Sequence, residues 1–500
     1  MAITAHFIDN EWNYHKKIIS FSLVPNHKGD TIGKRVEDVL KEWGLKKVST
    51  ITLDNATCND AAVSYLGKRL RSKNALIGVG SFFHMRCAAH ILNLVVRDGQ
   101  KDHELSIESV RNAVRFVRSS PQRALKFKEC VEIVGITCKR KLGLDVSTRW
   151  NSTFLMLDAA EKFQAAFEKL EDEDPGYMEF FDLSGPPCST DWEKVRAFVI
   201  FLKTFYAATK LFSSSQEVSL HLAFHNLSDI LCKLQEASLD MNSYVAPMVS
   251  NMRIKYDKYW GDVEKVNHFL YYGVIFDPRF KFGYVQWSFN DMYGADSELA
   301  KKHIECVKKS LFNLYNWYKS EHDKVVGAAL LDAPSGSTPR GETSTQTSKS
   351  SLFTRADAFK QHLKEKDTID NQNELEKYLG DPCWGDAEDF NILKWWKENS
   401  TRYPILATLV RDVLATPVSS VASESAFSTG GRVLDTYRSS LSPAMAEALI
   451  CSQNWLMPSD ESESNVLDLL EEYDITDSIC SEFRVGVTIG ATAPEQAGPV

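Results

Sequence analysis

Ten cysteines are spread from Cys58 to Cys480, yet no two of them stand in CxxC spacing. That pattern favours reduced thiols inside a cell over a disulfide framework. No apolar run approaches the roughly 18 residues of a membrane span, and Met1 opens directly onto a strand-like ITAHFID without a signal-peptide pattern. The GxxxxGK[ST] phosphate loop, the G-x-S-x-G elbow and a Ser-His-Asp set are all missing, which leaves Gly430-Gly431-Arg432 as only a weak phosphate-loop signal. There is no internal repeat. Residues 459–482 contain no Lys or Arg but hold nine acids, enough to account for the whole net charge of −9.

What is present describes an ordinary soluble globular chain: 500 residues, 43% hydrophobic and 25% charged. That length suggests roughly two to four domains with ample buried core. The charge is uneven. Residues 110–141 carry Arg111, Arg115, Arg118, Arg123, Lys126, Lys128, Lys139, Arg140 and Lys141 against only Glu129 and Glu132. Such a run is either a solvated helix face or a surface that tracks phosphates.

Ile3, Ala5 and Phe7 alternate, Asp9-Asn10 turns, and Ile19, Phe21 and Leu23 alternate again, which predicts a hairpin. Thr31–Trp43 reads as a helix stopped by Gly44, Val48–Leu53 as a β-branched strand, and Asn59 as the cap of a helix through Ala62, Leu66 and Leu70. This order points to an α/β layer architecture. Helical spacing then predicts helices over 82–97, 104–131, 151–171, 190–213, 220–238, 244–259 and 295–320. A Ser/Thr/Gly/Pro-rich stretch after Val325 reads as a disordered linker, and order returns from about Glu374 to Leu456.

Asp54 ends a buried strand, where an acid can hold a divalent cation or merely cap the next helix. His84, Cys87 and His90 are spaced so that a shared zinc is disfavoured on a regular helix; a packed helix start is expected, with Arg86 available to an acid or a phosphate. Arg149 and Trp150 pair a guanidinium with a stacking ring, either for an unpaired base or as an ion pair beside a buried Trp. Asp277-Pro278-Arg279 is a turn after an apolar strand-like or buried run. Residues 403–456 join two amphipathic patterns through a hinge of small residues that carries one carboxylate, Glu424.

In order along the chain, HFIDNEW, ITLDNATCND, HMRCAAHILNLVV, DVSTRWNSTFLML, VIFDPRFKF and VASESAFSTGGR…YRSSLSP…CSQNWL resemble the hAT (hobo/Ac/Tam3) transposase superfamily. The likeness is to its plant-type RICESLEEPER-like zinc finger BED proteins. The resemblance implies an α/β RNase H-like core interrupted by a large all-helical insertion, with a C-terminal helical dimerisation region. It divides the chain into a core part (1–115), a helical insertion (116–324), a linker (325–371), a dimerisation domain (372–457) and an acidic tail (458–500). It implies a metal-binding acidic triad in which Asp54 is the second acid and Glu424 the third. Arg149 and Trp150 would contact a flipped base, and Cys87 and His90 would form a CxxH near the site. Arg111, Arg115, Arg118, Lys139, Arg140 and Lys141 are the further DNA-contact candidates. Leu406, Leu409, Val413, Phe427 and Trp455 are the dimerisation candidates, so that charged replacements of Leu409 and Val413 should yield monomers.

The family's first acid lies upstream of the hairpin, in a TxDxWTS-like segment, and this chain begins after it; Asp9 occupies the hairpin turn. The first 50 residues also contain no cysteine, so the BED finger is not expected here. The expectation is a nuclear, DNA-binding, homodimerising transposase descendant without catalysis. It would need no cofactor, with Mg or Mn relevant only to a complete site. A fragment of an active metal-dependent transposase and a protein-interaction scaffold are the alternatives.

Overall fold

The computed structural model describes residues 1–181, 184–214, 217–240, 243–331, 373–385, 389–433, 441–456 and 484–489. The alternation at the start gives the expected hairpin, β1 (Ala2–Ile8) and β2 (Tyr14–Phe21), with a bulge between Ile3 and Thr4. Asp9 closes its turn: the carboxylate accepts from the backbone N–H groups of Glu11 and Asn13 at 2.9 and 2.8 Å. Helix α1 (Gly29–Glu42) ends before Gly44, whose φ of +64° suits a residue without a side chain. Strand β3 (Val48–Leu53) and helix α2 (Thr57–Ser72) follow. A Cβ on Gly29 would lie 2.5 Å from Ala61 Cβ, so glycine there sets how closely α1 and α2 cross.

Residues 82–97 are not one helix. Strand β4 (His84–Arg86) pairs parallel to β3, and helix α3 (Ala88–Gln100) begins only afterwards. The ladder with β3 takes up backbone groups that a longer helix would have left open at its start. The fifth strand, β5 (Arg484–Ile489), comes from the far end of the sequence and lies between β1 and β3, giving the order β2-β1-β5-β3-β4. One face of this sheet is apolar: Ile3, Ala5, Ile19, Ile51 and Leu53 pack with Val36, Val39 and Leu40 of α1 and Leu66 and Leu70 of α2. The other face carries Thr4, His6, Thr50 and Thr52, all buried. His6 lies 3.1 Å from Thr4 Oγ1 and 2.6 Å from Tyr14 OH; burial, then Lys16, pulls its pKa down to about 3.

The helical block runs through α4 (Glu104–Arg118), α5 (Pro121–Ile133), α6 (Trp150–Glu161), α7 (Gln164–Glu173), α8 (Pro175–Phe181) and α9 (Ser189–Ser213). It continues with α10 (Leu220–Leu239), α11 (Ala246–Trp260), α12 (Phe269–Ile275), α13 (Lys281–Tyr293) and α14 (Glu298–Leu331). The expected helix over 104–131 is split because Ser120 accepts from Arg123 N–H at 3.2 Å and Pro121 takes the first helical position. The turn at Asp277 follows a buried helix, α12, and its carboxylate takes Arg279 Nε and Nη2 at 3.0 and 2.8 Å. Helix α14 continues over 325–331, into the stretch expected to be linker; 332–372 and the acidic run 459–482 lie outside the described residues. The expected boundaries at 115 and 324 fall inside α4 and α14.

Helices α15 (Glu374–Gly380), α16 (Ile392–Asn399) and α17 (Pro404–Leu414) dock on this block. Trp396 Nε1 donates to Phe276 O at 2.8 Å, Tyr378 OH to Ile275 O at 3.0 Å, and Tyr318 OH to Asp412 at 2.5 Å. Helices α18 (Val421–Val433) and α19 (Pro443–Leu456) return to the hairpin. There α19 covers the outer edge of β2. Ile18 N–H donates to Asn454 Oδ1 at 2.8 Å, Phe21 N–H to Glu447 Oε1 at 2.9 Å, and Trp455 Nε1 to Ile18 O at 2.9 Å. Among the described residues no helix is long and apolar enough to cross a membrane.

Candidate functional site

Asp54 follows directly on β3 and so stands at the end of the sheet. Its Oδ1 accepts from Ala56 N–H at 2.9 Å and from the Asn59 amide at 2.7 Å. Asn59, expected to cap α2, is 1% exposed and holds Asp54 instead; Ala56 is the cap residue. The hinge between α17 and α18 crosses the same end of the sheet. Thr52 Oγ1 donates to Pro417 O and Ala88 N–H to Val418 O, both at 2.9 Å.

Cys87 joins the two halves. Its N–H donates to Leu53 O at 2.8 Å, its Sγ accepts from Ser420 N–H at 3.3 Å, and the thiol lies 3.3 Å from Ser420 Oγ. Ser420 Oγ also donates to Glu424 Oε1 at 3.4 Å. Asp54 and Glu424, 370 positions apart in sequence, therefore sit at the same end of one sheet, linked through Leu53, Cys87 and Ser420. Burial raises the Cys87 thiol, and the Glu424 carboxylate pushes the same way, so Cys87 is a neutral thiol and not a thiolate ligand.

His90 donates its backbone N–H to Cys87 Sγ at 3.4 Å one turn into α3. His84, on β4, is lowered to about 4, mostly by burial and further by Arg86, and is neutral near pH 7. Arg86 Nη2 meets Asp60 at 2.9 Å and Nη1 meets Asn55 at 3.3 Å. Among the described residues no group of three or more His, Cys, Asp or Glu side chains is placed to hold a metal ion. Asn59, Asp60 and Ser420 were not readable as site residues, because each acts through a partner far along the chain or through a backbone turn.

The basic candidates separate into two kinds. Arg111 is structural: its guanidinium, 13% exposed, grips Asp145 at 2.8 and 2.7 Å and pairs with Glu108. Trp150 is 2% exposed and packs beside Phe154, so its ring is a core element and offers no face to a base. Its neighbour Arg149 is half-buried. Arg115, Arg118, Lys139, Arg140 and Lys141 are exposed. Of these, Arg118 donates to Leu142 O at 2.8 Å and Arg140 pairs with Asp158. A further cleft of about 400 Å³ opens between α2, β4 and the turn after α11, lined by Lys68, Arg71, Arg86 and Lys265.

The dimerisation candidates also divide. Leu406, Leu409 and Val413 are 0% exposed in the chain's own core, so their apolarity is explained without a second copy. Phe427 is half-buried against Phe21, their ring centroids 5.2 Å apart, and Trp455 stacks on Trp43 at 5.3 Å while staying 42% exposed. The exposed apolar stripe of this region is Met445, Leu449 and Leu456 on α19, at 52, 42 and 81%.

Four family models match in succession: the ZBED1 RNase-like domain over residues 1–82, the ZBED1 RNase-like helical domain over 85–201, the hAT-like transposase RNase-H fold over 221–318, and the hAT family C-terminal dimerisation region over 374–456. The zinc finger BED domain-containing protein RICESLEEPER 2 of Oryza sativa subsp. japonica is 34% identical over 91% of this chain and 62% of its own length. A putative AC transposase of Zea mays is 31% identical over 96% of this chain and 57% of its own. DAYSLEEPER of Arabidopsis thaliana is 30% identical over 92% and 62%. The chain spans about three-fifths of the length of these relatives. With an RNase-H-type sheet, an inserted helical block and a C-terminal helical region in the same order, the chain belongs to the hAT family of transposase-related proteins.

Proposed function

We propose that this 500-residue chain is a DNA-associating nuclear protein of transposase descent that pairs with a second copy of itself and does not cut DNA. The observation that carries the reading is the end of the sheet. Asp54 and Glu424 stand at the same end of the sheet, where the Asn59 amide donates to Asp54 at 2.7 Å and Ser420 Oγ lies 3.4 Å from Glu424 Oε1; among the described residues no group of three or more His, Cys, Asp or Glu side chains is placed to hold a metal ion. Metal-assisted strand cleavage needs several carboxylates within a few ångströms of one another. Mg or Mn bound to two acids alone would be weakly held and poorly positioned.

DNA association is supported by the exposed cations Arg115, Arg118, Lys128, Lys139, Arg140 and Lys141 on α4, α5 and the segment leading to α6. Arg111 and Trp150 drop out of that surface. The titration that tests it follows duplex affinity across a salt series, where each lost phosphate contact lowers the slope by about 0.9. Lys139→Ala with Lys141→Ala should reduce the slope by about two; a flat response of the unaltered chain would favour the scaffold reading instead. Incubation with duplex ends in Mg or Mn should leave both strands intact. Cleavage abolished by Asp54→Asn would restore the active-transposase reading. Self-association is assigned to the Met445–Leu449–Leu456 stripe, inside the dimerisation match. Nuclear residence is read by imaging the tagged chain.

A further inference from the structure

We propose that the cleft between α2, β4 and the turn after α11 binds a small ligand carrying a phosphate group on a body about the size of one nucleotide. None of Asp54, Asn59, Ser420 or Glu424 lines it, so it is separate from the acidic end of the sheet. Its volume of about 400 Å³ falls in the range of small-molecule pockets. One wall is α2, where Ser64, Gly67, Lys68 and Arg71 follow the spacing of a single helix face. Two glycines make a seat for the Arg71 guanidinium. A Cβ on Gly67 would lie 3.4 Å from its Nη1, and one on Gly80, whose φ is +80°, would lie 3.3 Å from its Nε. Nε turns to Val79 O at 3.4 Å, which leaves the two Nη groups for a ligand.

Among the described residues no carboxylate pairs with Arg71 or with Lys68. Arg86 and Lys265 also line the cleft, but Asp60 and Asp262 match them, each at 2.9 Å. Glu264, the one acid of the lining, pairs with Lys302 at 3.0 Å. Two uncommitted cations therefore converge on a concave space, which concentrates positive potential there. A guanidinium fork beside an ammonium point charge suits the several oxygens of a phosphate better than the two of a carboxylate. His84 adds a second sign of a missing partner: it lines the cleft, and its Nε2 is buried without a hydrogen bond. Asn267 Nδ2 donates to Phe82 O and His84 O at 2.8 and 3.0 Å, so the strand that carries this ring is fixed. A buried polar nitrogen left unpaired is costly, and a ligand atom in the cleft would pair it. Tyr259, Trp260 and Leu270 supply apolar surface on the α11 side, which calls for a ring or an apolar body behind the phosphate.

The test is calorimetric titration of the full chain with adenosine monophosphate and with adenosine at fixed ionic strength. The monophosphate should bind with a Kd below about 1 mM, and adenosine about tenfold more weakly or worse. Lys68 and Arg71 are exposed, so Lys68→Ala with Arg71→Ala should keep the urea midpoint while weakening the monophosphate by about tenfold or more. Gly67→Leu, which fills the seat without removing a cation, should weaken it as well. Lys139→Ala with Lys141→Ala should leave monophosphate binding unchanged while lowering the salt slope of duplex binding, so the cleft and the DNA reading fail separately. No saturation by the monophosphate up to about 10 mM, or an affinity indifferent to Lys68 and Arg71, overturns the proposal. It is equally overturned if duplex DNA displaces the monophosphate and loses salt slope with the Lys68 and Arg71 pair, which would assign the cleft to the DNA backbone.

Discussion

Replacing Leu409 separates a core residue from an interface residue. Leu409 lies on α17 with 0% exposure, in the same cluster as Leu314, Tyr318 and Tyr403. Truncation to alanine removes buried methyl groups and leaves a cavity, at a cost of about 3 kcal/mol. That is roughly a hundredfold in the folded-to-unfolded ratio. Leu409→Glu would do worse, since a carboxylate there finds no partner. Leu449 on α19 is 42% exposed, and Leu449→Glu should change stability by no more than about 0.5 kcal/mol. Urea titration and light scattering on the same samples read both quantities. Leu409→Ala should lower the unfolding midpoint and leave the mass unchanged; Leu449→Glu should halve the mass and leave the midpoint in place. A soluble Leu409→Glu chain that unfolds at the wild-type midpoint as a monomer would refute the reasoning.

Glu37, 3% exposed in its side chain, accepts from Lys73 at 2.6 Å and Arg69 at 3.2 Å with Lys41 at 3.2 Å, and these partners, Lys73 foremost, lower its pKa from 4.5 to about 2. Because the folded value lies below the unfolded one, its stabilisation is complete above pH 4.5 and is lost as pH falls toward 2. The half-exposed partners limit it to about 1–2 kcal/mol, so Glu37→Gln should flatten that acid limb in denaturation curves taken across pH. Asp145, 1% exposed in its side chain, holds Arg111 and accepts from Thr153 at 2.6 Å. Asp145→Ala leaves a mostly buried guanidinium with only the exposed Glu108 as its acid partner and should cost about 3 kcal/mol; an unchanged urea midpoint would show that the pair is not structural.

The sequence revealed elements wherever the signal was local. The alternation of Ile3 and Ala5, the stop at Gly44 and the β-branched run ending at Asp54 all depend on near neighbours, and each appears where the pattern places it. Strand β4 was hidden because His84–Arg86 is only three residues long and runs into the helical spacing of Ile91, Leu92, Val95 and Val96. The basic run looked like one surface because charge along a chain says nothing about distant acids: Asp145, 34 positions from Arg111, turns one of its cations inward. Amphipathic spacing in α17 has the same ambiguity, since a face packed against the chain's own α14 and one packed against a second copy need the same leucines. That Asp54 and Glu424 stand at the same end of the sheet depends on how the hinge threads, which spacing cannot show.

The hinge explains why that placement needs small residues. Between α17 and α18 the chain passes over the end of β3 with Thr416, Ser419 and Ser420 all buried, at 2, 6 and 1% exposure. Large side chains would hold the backbone away from Thr52 and Cys87, and the bonds from Thr52 Oγ1 to Pro417 O and from Ala88 N–H to Val418 O would be lost. Hydroxyls fit the space and also satisfy the polar groups the crossing buries, as Ser420 does for both Cys87 and Glu424. The polar face of the sheet follows from the same crossing: Thr50 and Thr52 meet Thr416 and Pro417, so a valine in place of Thr52 would take its donor from the Pro417 carbonyl. The serine-rich stretch is therefore a packing requirement of bringing the C-terminal region to the sheet, and the carboxylate of Glu424 is placed by that packing whether or not it binds a metal.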